Sequence, residues 1–190
     1  MKSETINLSG HLTSSSVAAL GHSSELDGSR LTPHFTLAEM CKTSVKTADG
    51  NIPSHVHIEN LKRLCGWLER LREKSSLTPG PGLTPNPSPR GEGSRYKETP
   101  IIINSGYRSP AVNKAVGGAL NSNHLTGCAA DIRCLGIEQA LRYATTLLDI
   151  SDESKEDFDE LLIEKSSRSI WVHFAVRPKD NRRKVMFLKK

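Results

Sequence analysis

The sequence predicts an α+β fold: a single domain with a mainly antiparallel sheet flanked by helices. Three observations predict it. Over residues 57–74, Ile58, Leu61, Leu64, Cys65, Leu68 and Leu71 recur at spacings of three and four with Lys and Arg between, an amphipathic helix. The apolar run 100–105 and the alternating run 170–176 read as strands. The turn Pro178-Lys179-Asp180-Asn181 then returns residues 183–188 as a hairpin partner of 170–176. There is no βαβ periodicity, and Gly117-Gly118 fits neither nucleotide-binding fingerprint.

The elements follow in order. Residues 1–32 are rich in Ser, Thr and Gly without sustained periodicity and are expected to be a disordered N-terminal tail, with the domain running over 33–190. Residues 34–40 suit a short helix capped by Thr36, with Glu39 completing a capping box. Asp49-Gly50-Asn51-Ile52-Pro53 is turn chemistry, and the long helix follows it. Residues 75–99 gather Pro79, Gly80, Pro81, Gly82, Pro85, Pro87, Pro89, Gly91 and Gly93. A structureless loop of this length is rare inside a compact domain, so the stretch is expected to be a disordered insertion. Its words LTPGPGLTPNPSPRGEGS resemble translated interspersed DNA repeats. Loop-closure cost grows slowly with length, so a surface insertion need not unfold its host.

After the strand at 100–105, residues 109–116 suit a short helix with Pro110 at its first position. Residues 131–134 read as a strand. Residues 136–148 read as a helix with Ile137, Ala140, Leu141, Ala144 and Leu148 on one face. Residues 158–163 either finish a helix or start a strand.

Composition excludes several classes. The chain has 190 residues, 36% hydrophobic and 25% charged, which suits one domain of ordinary size. No apolar run approaches a bilayer span, and the N-terminus lacks the apolar core of a secretory signal, so a cytoplasmic chain is expected. Cys41, Cys65, Cys128 and Cys134 are scattered without a CxxC and are expected to be reduced thiols. The net charge of +5 favours anionic polymers without choosing among nucleic acid, membrane and cell wall. The charge is uneven, acidic over 149–164 and basic over 177–190, which reads as two solvated faces. A nucleic-acid role would rest on this basicity alone and lacks a recognition motif.

The segment Ser122-Asn123-His124-Leu125-Thr126-Gly127-Cys128-Ala129-Ala130-Asp131 carries the chemistry. It offers an imidazole and, seven residues on, a carboxylate, both zinc ligands, while Gly127 and Ala129 are small enough for the backbone to turn between them. His173 is the best third ligand. Alternation puts Trp171, His173 and Ala175 on one face of the strand and Val172, Phe174 and Val176 on the core face. Two His, one Asp and an open fourth position describe a catalytic zinc site. A rival set, His124 with Cys128 and Cys134, needs a helix that Gly127 opposes. His55 and His57 also stand at i, i+2, at a helix entrance. A lone strand His is ordinarily structural, and that reading stays open here.

The pattern Ser-x-His-x-x-Gly-x-Ala-x-Asp, followed by Trp-x-His, resembles the zinc D-alanyl-D-alanine carboxypeptidase family, peptidase family M15, which includes related peptidoglycan peptidases. Ser105-Gly106-Tyr107-Arg108-Ser109, the run 112–118 and Phe35-Thr36-Leu37-Ala38-Glu39 are similar to that family too, most closely its first subfamily. The resemblance covers about residues 33–188 apart from the insertion.

It implies a hedgehog/D-Ala-D-Ala peptidase-like fold and one Zn2+ per chain held by His124, Asp131 and His173. It implies that Arg108 binds the substrate's carbonyl or carboxylate, and that Ser122 contacts the substrate peptide or supports a ligand. Arg108 and Ser122 would otherwise be a surface arginine and a turn cap. Amide hydrolysis also needs a general base. Several relatives place a Glu or His two or three residues before the last zinc His, where this chain has Trp171 and Ile170. Glu164, nine residues before His173, is the expected base, with Asp159 and Glu160 as fallbacks.

The expected function is therefore zinc-dependent hydrolysis of peptidoglycan stem peptides, as a D,D-carboxypeptidase or an endopeptidase. The expected protein is a monomer, without nucleic-acid or membrane partners, that acts on the wall after release, as in a prophage lysis system. The displaced base motivates an alternative, a zinc-containing wall-binding or phage structural module that does not cleave.

Overall fold

In the computed structural model, residues 29–77 and 100–189 are described. Most of the expected tail (1–28) and of the expected insertion (78–99) lie outside the described residues. From Ser29 the chain pairs Arg30 with Thr36 and packs Leu31 against the core. Helix α1, Leu37–Met40, is capped as expected: the Thr36 hydroxyl accepts from the Glu39 N–H at 3.2 Å. Helix α2, His55–Leu77, extends the sequence expectation at both ends and buries Leu61, Leu64, Cys65, Trp67, Leu68 and Leu71. Burying each of these large apolar side chains contributes about 1.5–3 kcal/mol.

Strands β1 (Ile103–Ser105), β2 (Ala129–Cys134), β3 (Glu160–Lys165), β4 (Ile170–Ala175) and β5 (Lys184–Lys189) form one five-stranded sheet in the order β1-β2-β4-β3-β5. The ladders β1·β2, β2·β4 and β3·β4 are antiparallel, and β3·β5 is parallel. With its helices this is a single compact α+β domain. Helix α3, Pro110–Ala115, has Ser109 as N-cap and proline in its first turn, and a 3₁₀ turn spans Asn123–Thr126. No helix among the described residues is long and apolar enough to cross a membrane.

Two sequence expectations change. The terminal hairpin does not form. Both edges of β4 are already occupied by β2 and β3, so residues 177–183 carry the chain to the outer edge of β3. There the N–H groups of Arg183 and Lys184 donate to the carbonyls of Phe158 and Asp159. Helix α4, Ile137–Ser154, buries Ala140, Tyr143, Ala144, Leu147 and Ile150, leaving Ile137 and Leu141 exposed. Tyr143 and Leu147 continue the three-and-four spacing from Ala140, and the buried stripe follows them.

Period-2 alternation gives the sheet two faces. Ala130, Ile132 and Cys134 of β2, Leu161 and Ile163 of β3, and Ile170, Val172 and Phe174 of β4 join the core with α2 and α4. Trp67 of α2 sets its ring 5.3 Å from Phe174 and edge-on to Phe158. The opposite face carries Asp131, Glu160, Leu162, Glu164, Trp171 and His173.

Candidate metal centre

His124 rides on the 3₁₀ turn. The Ser122 hydroxyl caps that turn by accepting from the His124 N–H at 3.3 Å. Gly127 closes it at φ 70°, in the left-handed region. A Cβ there would lie 2.7 Å from the His57 carbonyl oxygen, so glycine is required both by conformation and by the close approach of α2. The imidazole is buried, with Nδ1 2.6 Å from the Gly106 carbonyl oxygen. A carbonyl only accepts, so Nδ1 carries the proton and Nε2 holds the free lone pair.

Gly106 sits equally tightly: a Cβ would lie 2.3 Å from the Met40 carbonyl oxygen. The rest of its motif is tied in as well. Tyr107 stacks on His57 with ring centroids 4.9 Å apart, and the Arg108 N–H donates to the His124 carbonyl. Asn51, in the left-handed region at φ 53°, accepts from the Ser109 N–H and donates to the carbonyls of Cys41 and Tyr107.

The β2·β4 register sets Asp131 opposite His173. Asp131 Oδ1 lies 2.9 Å from His173 Nδ1 and 3.3 Å from His124 Nε2. Its other oxygen, Oδ2, accepts from Arg108 Nη2 at 2.5 Å, while Arg108 Nε donates to Ser105 Oγ. His124, Asp131 and His173 each offer a ligand atom, all within 4.8 Å of one another. Two imidazoles and a carboxylate suit zinc; the Gly106 carbonyl already holds His124 Nδ1, and Arg108 holds Asp131 Oδ2.

Burial works against ionised Asp131, but the two imidazoles overcome it and hold its carboxyl well below the usual range. Burial likewise opposes the imidazolium of His173, yet Asp131, Glu160 and Glu164 raise its pKa to about 9. His124, buried beside His173 and Arg108, is pushed down.

The remaining sequence-derived residues fall as follows. Glu164 is buried on the His173 face, opposite Trp171, and its charge acts on His173. Asp159 is fully buried and committed elsewhere: Arg182 Nε and Nη2 donate to it at 2.8 and 2.7 Å, Asn123 Nδ2 donates at 2.7 Å, and Arg177 lies 3.0 Å away. Glu160 lies against His173 Nε2, and His173 followed by Lys184 and Arg182 lowers its pKa to about 2. Asn123 and Arg182 were not singled out from the sequence. The visible signal was the Asp-Glu pair entering β3, without the partners that fold onto it.

Neither Cys128 nor Cys134 joins the cluster; burial raises both thiols, Cys134 to about 11. His55 and His57 stay outside it as well. The acidic and basic segments are not two separate solvated faces. Arg177 and Arg182 pair with Asp159, Arg183 with Asp152 and Asp157, and Lys184 with Glu160.

A family model described as Peptidase M15 matches residues 93–173, from just before β1 to His173. The match covers less than half of the chain and supports the M15 peptidase family for that segment. No curated protein matches the chain. The match takes in every element that carries the metal cluster, whereas α2, which supplies the His57 carbonyl beneath Gly127, precedes it. The matched family is one of peptidases, and the chain's His-Asp-His cluster is able to hold a metal ion.

Proposed function

We propose that this domain is a zinc-dependent hydrolase of peptide bonds in peptidoglycan stem peptides, as a D,D-carboxypeptidase or an endopeptidase, with one zinc ion held by His124, Asp131 and His173. The observation that carries the metal part is the convergence of His124 Nε2 and His173 Nδ1 on Asp131 Oδ1, with His124 Nδ1 already bonded to Gly106. Zinc bound there would polarise a scissile carbonyl and acidify a water molecule.

The protein's own groups divide the remaining work. Glu164, buried on the metal-facing side of β3, takes a proton from the attacking water and returns it to the leaving amine. Arg108 spends Nε and Nη2 within the protein, and Nη1, without a protein partner among the described residues, is the donor for the developing oxyanion or a substrate carboxylate. Ser122 holds the turn that presents His124, with its hydroxyl at the site for the substrate peptide.

Mass spectrometry of muropeptides after digestion, with and without a chelator, tests this reading. New fragments that vanish with chelator and return with zinc support it, and their masses identify the bond cut. Zinc at one equivalent without any product favours a non-catalytic wall-binding module instead. Glu164→Ala is expected to abolish turnover and spare zinc binding; cleavage at the wild-type rate would remove Glu164 from the mechanism.

A further inference from the structure

We propose that Glu160 is a positioning residue for His173: its carboxylate takes the Nε2–H and thereby fixes the tautomer and ring plane that present Nδ1 to the metal. The inference rests on the metal reading above and extends it to a residue outside the ligand set. The β3·β4 register puts Leu162 opposite His173, so Glu160, two residues along the same face, reaches the ring diagonally. Its Oε2 lies 3.6 Å from His173 Nε2, an ion-pair distance. Nδ1 points the other way, to Asp131 Oδ1 at 2.9 Å. Carboxylate oxygens face both ring nitrogens; with a metal on the Nδ1 lone pair, the ring's one N–H is on Nε2, where Glu160 is the carboxylate beside it.

The two histidines are thus fixed by opposite ring nitrogens, His124 through Nδ1 on a backbone carbonyl and His173 through Nε2 on Glu160. Glu160 is itself immobilised at both oxygens. Asn123 Nδ2 donates to Oε2 at 3.0 Å, while Arg182 Nη2 and Lys184 Nζ approach Oε1 at 3.0 and 3.3 Å. Asn123 neighbours His124 on the 3₁₀ turn, so one amide ties the His124-bearing turn to Glu160 at the start of β3. The C-terminal segment therefore acts on the metal centre through Glu160. Because Glu160 addresses the nitrogen remote from Asp131, this geometry gives it an orienting role and leaves proton transfer to Glu164.

The test measures zinc affinity of the full chain by competition with a chelating dye, together with the visible spectrum of the Co2+-substituted protein. Loss of such a partner ordinarily weakens metal binding roughly 10–100-fold. Glu160→Ala is expected to show that loss and a changed Co2+ spectrum, and Glu160→Gln, which keeps an acceptor oxygen, to stay close to wild type. Wild-type affinity and spectrum in Glu160→Ala would overturn the proposal. A wild-type chain that binds no zinc would instead overturn the metal reading. Should Glu160→Ala fail to fold, ring-nitrogen NMR of the zinc-loaded wild type decides: a protonated Nε2 on His173 supports the proposal, and a protonated Nδ1 overturns it.

Discussion

The two faces of the central sheet are built from the same strands and spend burial in opposite ways. Phe174 and His173 are adjacent on β4. Phe174 points to α2 and α4 and meets Trp67 and Phe158; His173 points away and meets Asp131, His124 and Glu160. On the helix side, burial is favourable in itself. On the other side the domain buries ionisable groups, which is costly unless each is paired. His124, His173 and Glu164 are buried there, and Glu160 is half-buried. The contrast teaches that one strand encodes stability and chemistry in alternate residues, and that the chemical face needs outside partners to stay folded.

Breaking each face separately gives the largest effects. Phe174→Ala is expected to destabilise by about 3–5 kcal/mol through lost burial and the cavity left behind, read as a lower thermal midpoint. His173→Ala, one residue away, is expected to abolish zinc binding while keeping a cooperative melt. If His173→Ala unfolds the chain as severely as Phe174→Ala, the division between the faces fails.

Asp159 tests whether charged burial is structural at the rim of the chemical face. Removing one partner of a buried pair costs about 3–5 kcal/mol, and Asp159→Ala is expected to fall in that range by urea denaturation. Its pH dependence has a definite sign. Burial opposes the ionised form, but Arg182, Asn123 and Arg177 outweigh it and lower the folded-state pKa. The stabilisation is therefore fully present above the unfolded value of about 3.9 and is lost as pH falls through the folded-state value. Asp159→Asn should flatten the acid limb of a stability–pH curve below about pH 4; an unchanged limb would show that Asp159 is not its source.

A smaller change addresses the turn that delivers His124. Gly127→Ala places a Cβ at positive φ and against the His57 carbonyl, for about 1–3 kcal/mol of strain. Weaker zinc binding should accompany the lower melting temperature. The smallest expected effect is at Leu141, exposed on α4: Leu141→Gln should stay within about 0.5 kcal/mol of wild type. A loss comparable to a core truncation would restore the helix face first read from the sequence.

Much of this was legible in the chain wherever the signal was local. Thr36 as a cap, Pro110 at a helix start, and the alternation that sends His173 and Phe174 to opposite faces all depend on neighbours a few residues away. The His-Asp-His cluster was legible because His124 and Asp131 lie in one segment and Trp-x-His marks its third member. The parallel placement of β5 was not, because a turn sequence cannot show that both edges of β4 are taken. Nor could the sequence show that Arg182 and Lys184 close over Asp159 and Glu160, since these pairs span more than twenty residues. The charge asymmetry was visible, while its mutual neutralisation required the fold.

Metal analysis of the purified chain, stripped with a chelator and reloaded, tests the central claim most directly. The account predicts one equivalent of zinc per wild-type chain and none in a folded His173→Ala variant. A folded wild-type chain that retains no zinc, or a His173→Ala chain that retains a full equivalent, would contradict it.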